Sequence, residues 1–151
     1  MKIIPHSIDC KPKYPCGENF KETNNFINEL APLVQENVKN HPINFWVRGS
    51  SGAILGALLA SKLTNDCTIY HIKKIGECSH NFNSFNDVYT KDNRLNIIVD
   101  DFAQSGETIN EIFNEASKYV CSINYLILHH MHAWHFNFTP NNLIIHGKYV
   151  F

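Results

Sequence analysis

Two carboxylates followed by a glycine-containing turn form the part of this sequence best suited to chemistry. Residues 97–108 read IIVDDFAQSGET, so an apolar run ends in Asp100 and Asp101, and a short polar turn leads into a helical pattern. The N–H groups of such a turn, with the positive end of the next helix, form an anion site, and Gly106 lets the backbone approach closely. Two acids there would repel a phosphate unless they accept hydrogen bonds from sugar hydroxyls of the same molecule. The spacing therefore predicts a site for a sugar phosphate.

A second glycine-containing turn follows another short apolar run. Residues 45–56 read FWVRGSSGAILG, and Arg48 carries a positive charge into the turn. The glycines lack the spacing of a dinucleotide-binding fingerprint, and no Gly-Lys-Ser/Thr of a Walker loop follows. The segment is not a GxSxG nucleophile elbow either. By itself it predicts a strand, a glycine turn and a closely packed helix.

Both turns must be held by the elements around them, which hydrophobic periodicity predicts. Helices are expected where apolar residues recur at intervals of three and four, and strands where short apolar or β-branched runs end at polar turns. The predicted strands cover residues 44–48, 67–72, 95–99, 120–128 and 143–145, and the predicted helices cover 26–38, 53–63 and 109–116. Pro32 predicts a kink or a split in the first helix. Strands joined by helices imply an α/β fold with a parallel sheet and right-handed crossovers.

Composition and the remaining segments bound the possibilities. Residues 1–19, rich in proline and glycine, indicate an irregular arm, and residues 76–94 indicate a long polar loop. With 151 residues, 44% of them hydrophobic, one domain over residues 1–151 is expected. The balance of 13 basic and 14 acidic residues argues against a broad nucleic-acid surface. No apolar run reaches the roughly 18–20 residues of a membrane span. No secretory signal is visible, so five reduced cysteines and a cytoplasmic location are expected.

The first segment resembles the phosphoribosyl-pyrophosphate motif of the type I phosphoribosyltransferases, in its apolar run, acid pair, glycine and threonine. The order of elements from about residue 43 to residue 151 is similar to that family as well. The resemblance implies an α/β fold with a mostly parallel sheet flanked by helices and a short C-terminal hood. It also implies that Asp100 and Asp101 bind the ribose hydroxyls.

The resemblance assigns the two turns to the two phosphate-bearing ends of phosphoribosyl pyrophosphate. The second segment is similar to the family's pyrophosphate-binding loop, which implies that role for Arg48, Gly49 and Ser50. The turn after the acid pair would hold the 5′-phosphate, through Ala103, Gln104, Ser105, Gly106, Glu107 and Thr108.

Further roles follow from the same resemblance for a basic pair, a loop and a C-terminal aromatic stretch. Lys73, Lys74 and His80 would belong to a basic, mobile loop that closes over the reacting pair, although a solvated strand end also explains the two lysines. Trp134 and Phe136 would stack on an acceptor base, or else fill the core. Mg²⁺ carried by the substrate, with no direct protein ligand, and a homodimer are also implied.

Two sets of residues could bind a metal ion directly, but neither has favourable spacing. The set Cys10, Cys16, Cys78 and His80 matches no zinc pattern. His130 and His132 share one strand face, but no acidic partner stands near them in sequence.

The implied activity is transfer of a 5-phosphoribosyl group from phosphoribosyl pyrophosphate to a nitrogen acceptor such as a nucleobase, in nucleotide salvage or related metabolism. Family members that act on hypoxanthine or guanine carry an aspartate at the place of Gln104, and glutamine cannot accept a proton there. Glu107 also stands where a small or basic residue is common. The acceptor therefore stays open. The alternative hypothesis is a domain that binds phosphoribosyl pyrophosphate or a nucleotide without turnover, as a sensor or regulatory partner.

Overall fold

A six-stranded sheet in which every pair of neighbouring strands is parallel organises the described part of the chain. The computed structural model describes residues 1–5, 20–74, 76, 93–131 and 135–145. The strands are β1 (Lys2–Pro5), β2 (Ile43–Arg48), β3 (Cys67–Ile72), β4 (Leu95–Ala103), β5 (Tyr125–Met131) and β6 (Asn142–Ile145). Their order across the sheet is β1-β6-β5-β4-β2-β3. The α/β class expected from the alternation of strands and helices is confirmed.

Three helices in the described part of the chain cover the two faces of this sheet. They are α1 (Phe20–Val38), α2 (Gly49–Lys62) and α3 (Glu107–Ala116). Alternate residues of β2 point into different cores: Phe45 and Val47 lie in one with α1 and α2, and Trp46 lies in the other with α3. Because both faces are covered, the central strands are apolar almost throughout, as buried parallel strands are.

The prediction of an irregular arm over residues 1–19 is wrong for its first residues. Residues 2–5 form β1, an edge strand that pairs with β6 in the register Lys2↔Asn142 to Pro5↔Ile145. Pro5 is tolerated because an edge strand does not need every N–H in its ladder. Local composition cannot reveal a strand whose partner is about 140 residues away. Residues 6–19 lie outside the described residues.

Several elements also differ from the predicted ones, and all three helices begin before the predicted residue, at Phe20, Gly49 and Glu107. Helix α1 continues through Pro32 without splitting, because the buried apolar face on both sides of the proline holds it against the sheet. Strand β4 runs to Ala103 and so contains the acid pair, which the sequence places after its end. Strand β5 starts at Tyr125 and not at residue 120, since Val120 and Ile123 are buried by packing beside α3 and not by strand pairing.

A polar cluster fixes the amino ends of β2, β3 and β4 relative to one another. Arg94 donates from Nε to Oδ1 of Asn44 at 2.8 Å, from Nη1 to Asp66 at 3.0 Å and from Nη2 to Thr68 at 3.2 Å. Asn44 in turn donates to Asn96 Oδ1 at 3.2 Å. These bonds set the strand register, and the register determines which residues meet at the opposite, carboxyl edge.

Among the described residues, no helix is long and apolar enough to cross a lipid bilayer.

Candidate functional site

The carboxyl ends of β2 and β4 lie side by side, and a cavity of about 170 Å³ opens between them. It brings together residues from both segments that the sequence indicates and from the end of β3. The lining residues are Arg48, Gly49, Ser50, Ser51, Lys74, Asp100, Asp101, Phe102 and Thr108. In an open parallel sheet, ligands bind at this edge, where the loops that follow neighbouring strands converge. Among the described residues, Lys74 lines the cavity and Lys73 does not.

The acid pair is held by the backbone that follows it. The N–H of Asp101 donates to Oδ1 of Asp100 at 2.9 Å, and the N–H of Phe102 donates to Oδ1 of Asp101 at 2.8 Å. Asp100 is only 6% exposed. Burial raises the pKa of Asp100 well above its usual range, the adjacent Asp101 carboxylate raises it further, and Lys74 lowers it in part. Asp100 therefore holds a proton more readily than an exposed carboxylate does, and the pair offers both donor and acceptor sites to hydroxyl groups.

The turn after β2 brings Lys74 close to this acid pair. Gly49 has φ +71°, a left-handed conformation that glycine adopts without strain. A Cβ atom there would lie 3.3 Å from Cε and from Nζ of Lys74, so the lysine lies directly against the turn. Helix α2 begins at Gly49, which places Ser50 and Ser51 in its first turn. The first turn of α2 thus presents hydroxyl groups and N–H groups to the cavity.

The turn after β4 encloses a second open space of about 200 Å³, lined by residues 102–109. Gly106 is the N-cap of α3 and has φ +79°. A Cβ atom on Gly106 would lie 2.9 Å from the carbonyl oxygen of His135 and 3.2 Å from Cδ1 of Phe136, so only glycine fits. The Ser105 hydroxyl accepts a 3.3 Å hydrogen bond from the N–H of Glu107. The turn has the geometry of an anion cradle at a helix N-terminus.

The segment after β5 packs behind this cradle. The Asn110 side chain donates to the carbonyl oxygen of His135 at 2.9 Å and accepts from the N–H of Asn137 at 2.9 Å. Phe136 contacts the cradle at Gly106, and its ring centroid lies 6.0 Å from that of Phe138. Asn110 was not indicated by the sequence, because a polar residue on the exposed side of a helix is ordinary until its backbone partners are known.

Arg48 has a partner that the sequence does not indicate. Its side chain is 9% exposed and forms an ion pair with Glu111 of α3, which is 42% exposed. Its Nε atom is buried and has no hydrogen-bond partner among the described residues. Arg48 therefore reaches the cavity from the α3 side of the sheet, with one edge of its guanidinium held by a carboxylate. The sequence shows an acidic residue, Glu111, three positions after Thr108, but it does not show which basic residue pairs with it.

Several sequence hypotheses fall outside the described residues. Trp134 and His80 lie there, and so do His132 and the cysteines of the imagined zinc set, Cys10, Cys16 and Cys78. His130 is buried and contacts His129 through their Nδ1 atoms. Within the ranges that the structure describes, no group of three or more His, Cys, Asp or Glu residues is arranged to hold a metal ion.

Solved structures with the same fold include phosphoribosyltransferases. A purine phosphoribosyltransferase from Pyrococcus horikoshii Ot3 superposes with a TM-score of 0.59 at 19% identity, over 100% of this chain and 93% of the other. A hypoxanthine-guanine phosphoribosyltransferase from Bacillus anthracis gives 0.57 at 14% identity, over 90% and 84%.

A third solved structure was determined with a bound nucleotide. This hypothetical protein from Neisseria gonorrhoeae with bound ppGpp gives a TM-score of 0.59 at 15% identity, over 87% of this chain and 81% of the other. No protein-family model matches the sequence, and neither does any curated protein. The chain has the fold of the type I phosphoribosyltransferases, as the resemblance of its acid-pair segment implies.

Proposed function

We propose that this protein is a phosphoribosyltransferase that moves a 5-phosphoribosyl group from phosphoribosyl pyrophosphate to a nitrogen acceptor. The observation that carries the proposal is the single cavity in which the acid pair Asp100 and Asp101, the Gly49 turn and Thr108 meet at the ends of adjacent strands. A ligand that spans this cavity needs hydroxyl groups in its middle and an anion at each end. Phosphoribosyl pyrophosphate has that arrangement.

Each part of the site has its own task in this proposal. Asp100 and Asp101 bind the ribose hydroxyls, because their oxygens accept hydrogen bonds and the N–H groups of Asp101 and Phe102 hold the two carboxylates in place. The 5′-phosphate binds in the cradle from Ala103 to Thr108, where α3 begins. The pyrophosphate lies against the turn of Arg48, Gly49 and Ser50, with Lys74 beside it. Phe136 and Trp134 are proposed to face the acceptor base.

Magnesium fits the donor set of this site. The cavity offers carboxylate and hydroxyl oxygens, which are the ligands that Mg²⁺ prefers, with room for the waters it keeps. Bound with the substrate, Mg²⁺ would neutralise charge on the pyrophosphate oxygens and so make that group a better leaving group. Asp101 and the Ser50 hydroxyl are the residues we assign to its water shell.

The reaction that this arrangement supports is a substitution at C1 of the ribose. The lone pair of the acceptor nitrogen forms the new bond to C1, and the C1–O bond breaks with its electron pair leaving on pyrophosphate. The protein contributes positioning and charge stabilisation and forms no covalent intermediate. Gln104 cannot take a proton from the acceptor, which disfavours hypoxanthine and guanine, whose transferases in this family carry an aspartate there. We propose a different nucleobase, a pyrimidine or another nitrogen compound.

The same residue supports a second candidate, a domain that binds phosphoribosyl pyrophosphate or a nucleotide without turnover. Gln104 leaves the sugar-phosphate site intact while removing the acid that some transferases use. That a protein of this fold was solved with bound ppGpp is consistent with a nucleotide-binding role for the fold. A homodimer and a cytoplasmic location rest on the resemblance and stay predictions, of which light scattering tests the first.

Two measurements on the full chain decide between these functions. Calorimetric titration of phosphoribosyl pyrophosphate with Mg²⁺ tests binding, and a pyrophosphate-release assay with a panel of nucleobases and amines tests turnover. Transfer predicts both binding and release with at least one acceptor. Binding without release under every acceptor would favour the sensor. A variant carrying both Asp100→Asn and Asp101→Asn that binds as tightly as the parent would exclude both functions.

A further inference from the structure

The ion pair between Arg48 and Glu111 is asymmetric in a way that matters for ligand binding. Arg48 is 9% exposed and lines the cavity, so the fold fixes it in place. Glu111 is 42% exposed and stands on α3, so its carboxylate can turn into solvent with little loss of packing. Arg48 is therefore fixed, whereas Glu111 can move away, so another anion can take the place of Glu111 on the guanidinium.

We propose, on the basis of the function proposed above, that Glu111 sets the affinity of the site for the pyrophosphate half of the ligand, by competing with its oxygens for Arg48. In the ligand-free protein the Glu111 carboxylate is the anion on the guanidinium. In the complex a phosphate oxygen replaces it. Glu111 is then an affinity-determining residue, and it touches neither the ribose nor the acceptor.

The donor pattern of Arg48 explains why a pyrophosphate displaces the glutamate. The contact to Glu111 uses Nη1 and leaves the buried Nε without a partner among the described residues. A guanidinium binds best when an oxyanion meets two of its N–H groups at once. Pyrophosphate has oxygens on two phosphorus atoms, so it can satisfy Nε and a terminal nitrogen together, which the observed glutamate contact does not do.

The charges around the cavity also support competition between Glu111 and the ligand. Among the described residues, Arg48 and Lys74 are the cations that line it, and Asp100 and Asp101 are the acids. With Glu111 on Arg48, the cations are matched by carboxylates, and an incoming polyanion meets little net positive charge. When Glu111 turns away, the Arg48 charge becomes available at the pyrophosphate end alone. The 5′-phosphate cradle at residues 103–108 keeps its own N–H donors in both states.

Calorimetry with two separate probes tests this competition. The probes are inorganic pyrophosphate with Mg²⁺, for the end at Arg48, and ribose 5-phosphate, for the cradle. The test variant is Glu111→Gln, which removes the charge and keeps the shape of the side chain. The matched control is Glu115→Gln, which removes the same charge from the same helix at a residue paired with Lys118 and not with Arg48. Glu111→Gln in an Arg48→Gln background tests whether the effect passes through the arginine.

We expect Glu111→Gln to bind pyrophosphate about fivefold to twentyfold more tightly than the parent, because the ligand no longer has to displace a charge-assisted contact from Arg48. Ribose 5-phosphate should change by less than about twofold, and Glu115→Gln should leave both affinities unchanged. The gain should vanish in the Arg48→Gln background. Unchanged or weaker pyrophosphate binding in Glu111→Gln, with ribose 5-phosphate still bound, would overturn this role and leave the proposed function standing. If neither probe bound to any of these proteins, both would be rejected.

Discussion

Replacing Asp100 by asparagine should make the protein more stable at neutral and alkaline pH. The Asp100 side chain is 6% exposed, and burial and the Asp101 charge raise its pKa well above the usual range. The folded state therefore binds this proton more tightly than the unfolded state. Its contribution to the free energy of unfolding is fully present below the unfolded pKa of about 4 and is lost as pH rises through the raised, folded pKa. Asparagine resembles the protonated acid and keeps the acceptor for the 2.9 Å bond from the Asp101 N–H.

The size of the gain follows from how completely Asp100 is removed from water. An incompletely compensated buried polar or charged group destabilises a fold by about 1–3 kcal/mol in mutational data. Attraction to Lys74 offsets part of this, because it stabilises the charged form. We therefore expect Asp100→Asn to raise the free energy of unfolding by about 1–2 kcal/mol at pH 8, or the melting temperature by about 2–8 °C for a chain of this size. At pH 4 the gain should be close to zero.

Thermal unfolding followed by circular dichroism between pH 4 and pH 8 measures this difference. The control is Asp66→Asn, since Asp66 pairs with Arg94 in an ion pair whose carboxylate is mostly exposed. That change should lower stability slightly, by about 0–1 kcal/mol, at both ends of the range. The reasoning would be refuted if the Asp100→Asn gain were the same at pH 4 and pH 8, or if the variant were less stable than the parent at pH 8. Calorimetry on the same variant should show weaker ribose 5-phosphate binding, so stability and binding move in opposite directions.

Three further substitutions test the packing that positions the two turns. Gly106→Ala should destabilise the fold by about 2–3 kcal/mol in urea unfolding, because φ is +79° and a Cβ would lie 2.9 Å from the His135 carbonyl oxygen. Asn110→Ala should lose about 1–3 kcal/mol through its two backbone hydrogen bonds, and faster hydrogen exchange confined to residues 135–138 would identify the cause. Gly56→Ala should be destabilising alone, since its Cβ would lie 2.9 Å from Val47 Cγ1, whereas in a Val47→Ala background helix propensity should make it stabilising by up to about 1 kcal/mol.

Most of the fold and the centre of the site could be predicted because their causes are local. The acid pair, the glycine turn and the helix start stand together in 97–108, and the α/β alternation follows from the period of apolar residues. The same holds for the Gly49 turn, where a strand, a glycine and an alanine-rich helix follow one another. The cavity then forms because parallel strands bring their carboxyl ends to one edge, which needs only the topology.

What could not be predicted depends on partners that are far apart in sequence. Strand β1 exists because β6 pairs with it, and β4 extends through the acid pair because Phe102 and Ala103 pair with His130 and Met131 of β5. The interaction of Arg48 with Glu111 joins residues from different elements and different turns. Periodicity shows which side of a helix is buried, but it does not identify the neighbour across the interface, so the sequence could not show that Glu111 pairs with Arg48.

Charged residues have satisfied hydrogen bonds at the amino edge of the sheet and unfavourable burial at the carboxyl edge. At the amino edge, Arg94 has acceptors for three of its nitrogens, and Asn44 and Asn96 complete the cluster. At the carboxyl edge, Arg48 keeps a buried Nε without a partner among the described residues, and Asp100 is buried although its charge is disfavoured there. A fold optimised for stability alone would keep the Arg94 cluster. It would not bury the Asp100 carboxylate or leave the Arg48 Nε atom without a partner. Because unfavourable burial is concentrated where the strands end and a cavity opens, binding of a ligand explains it better than structure does.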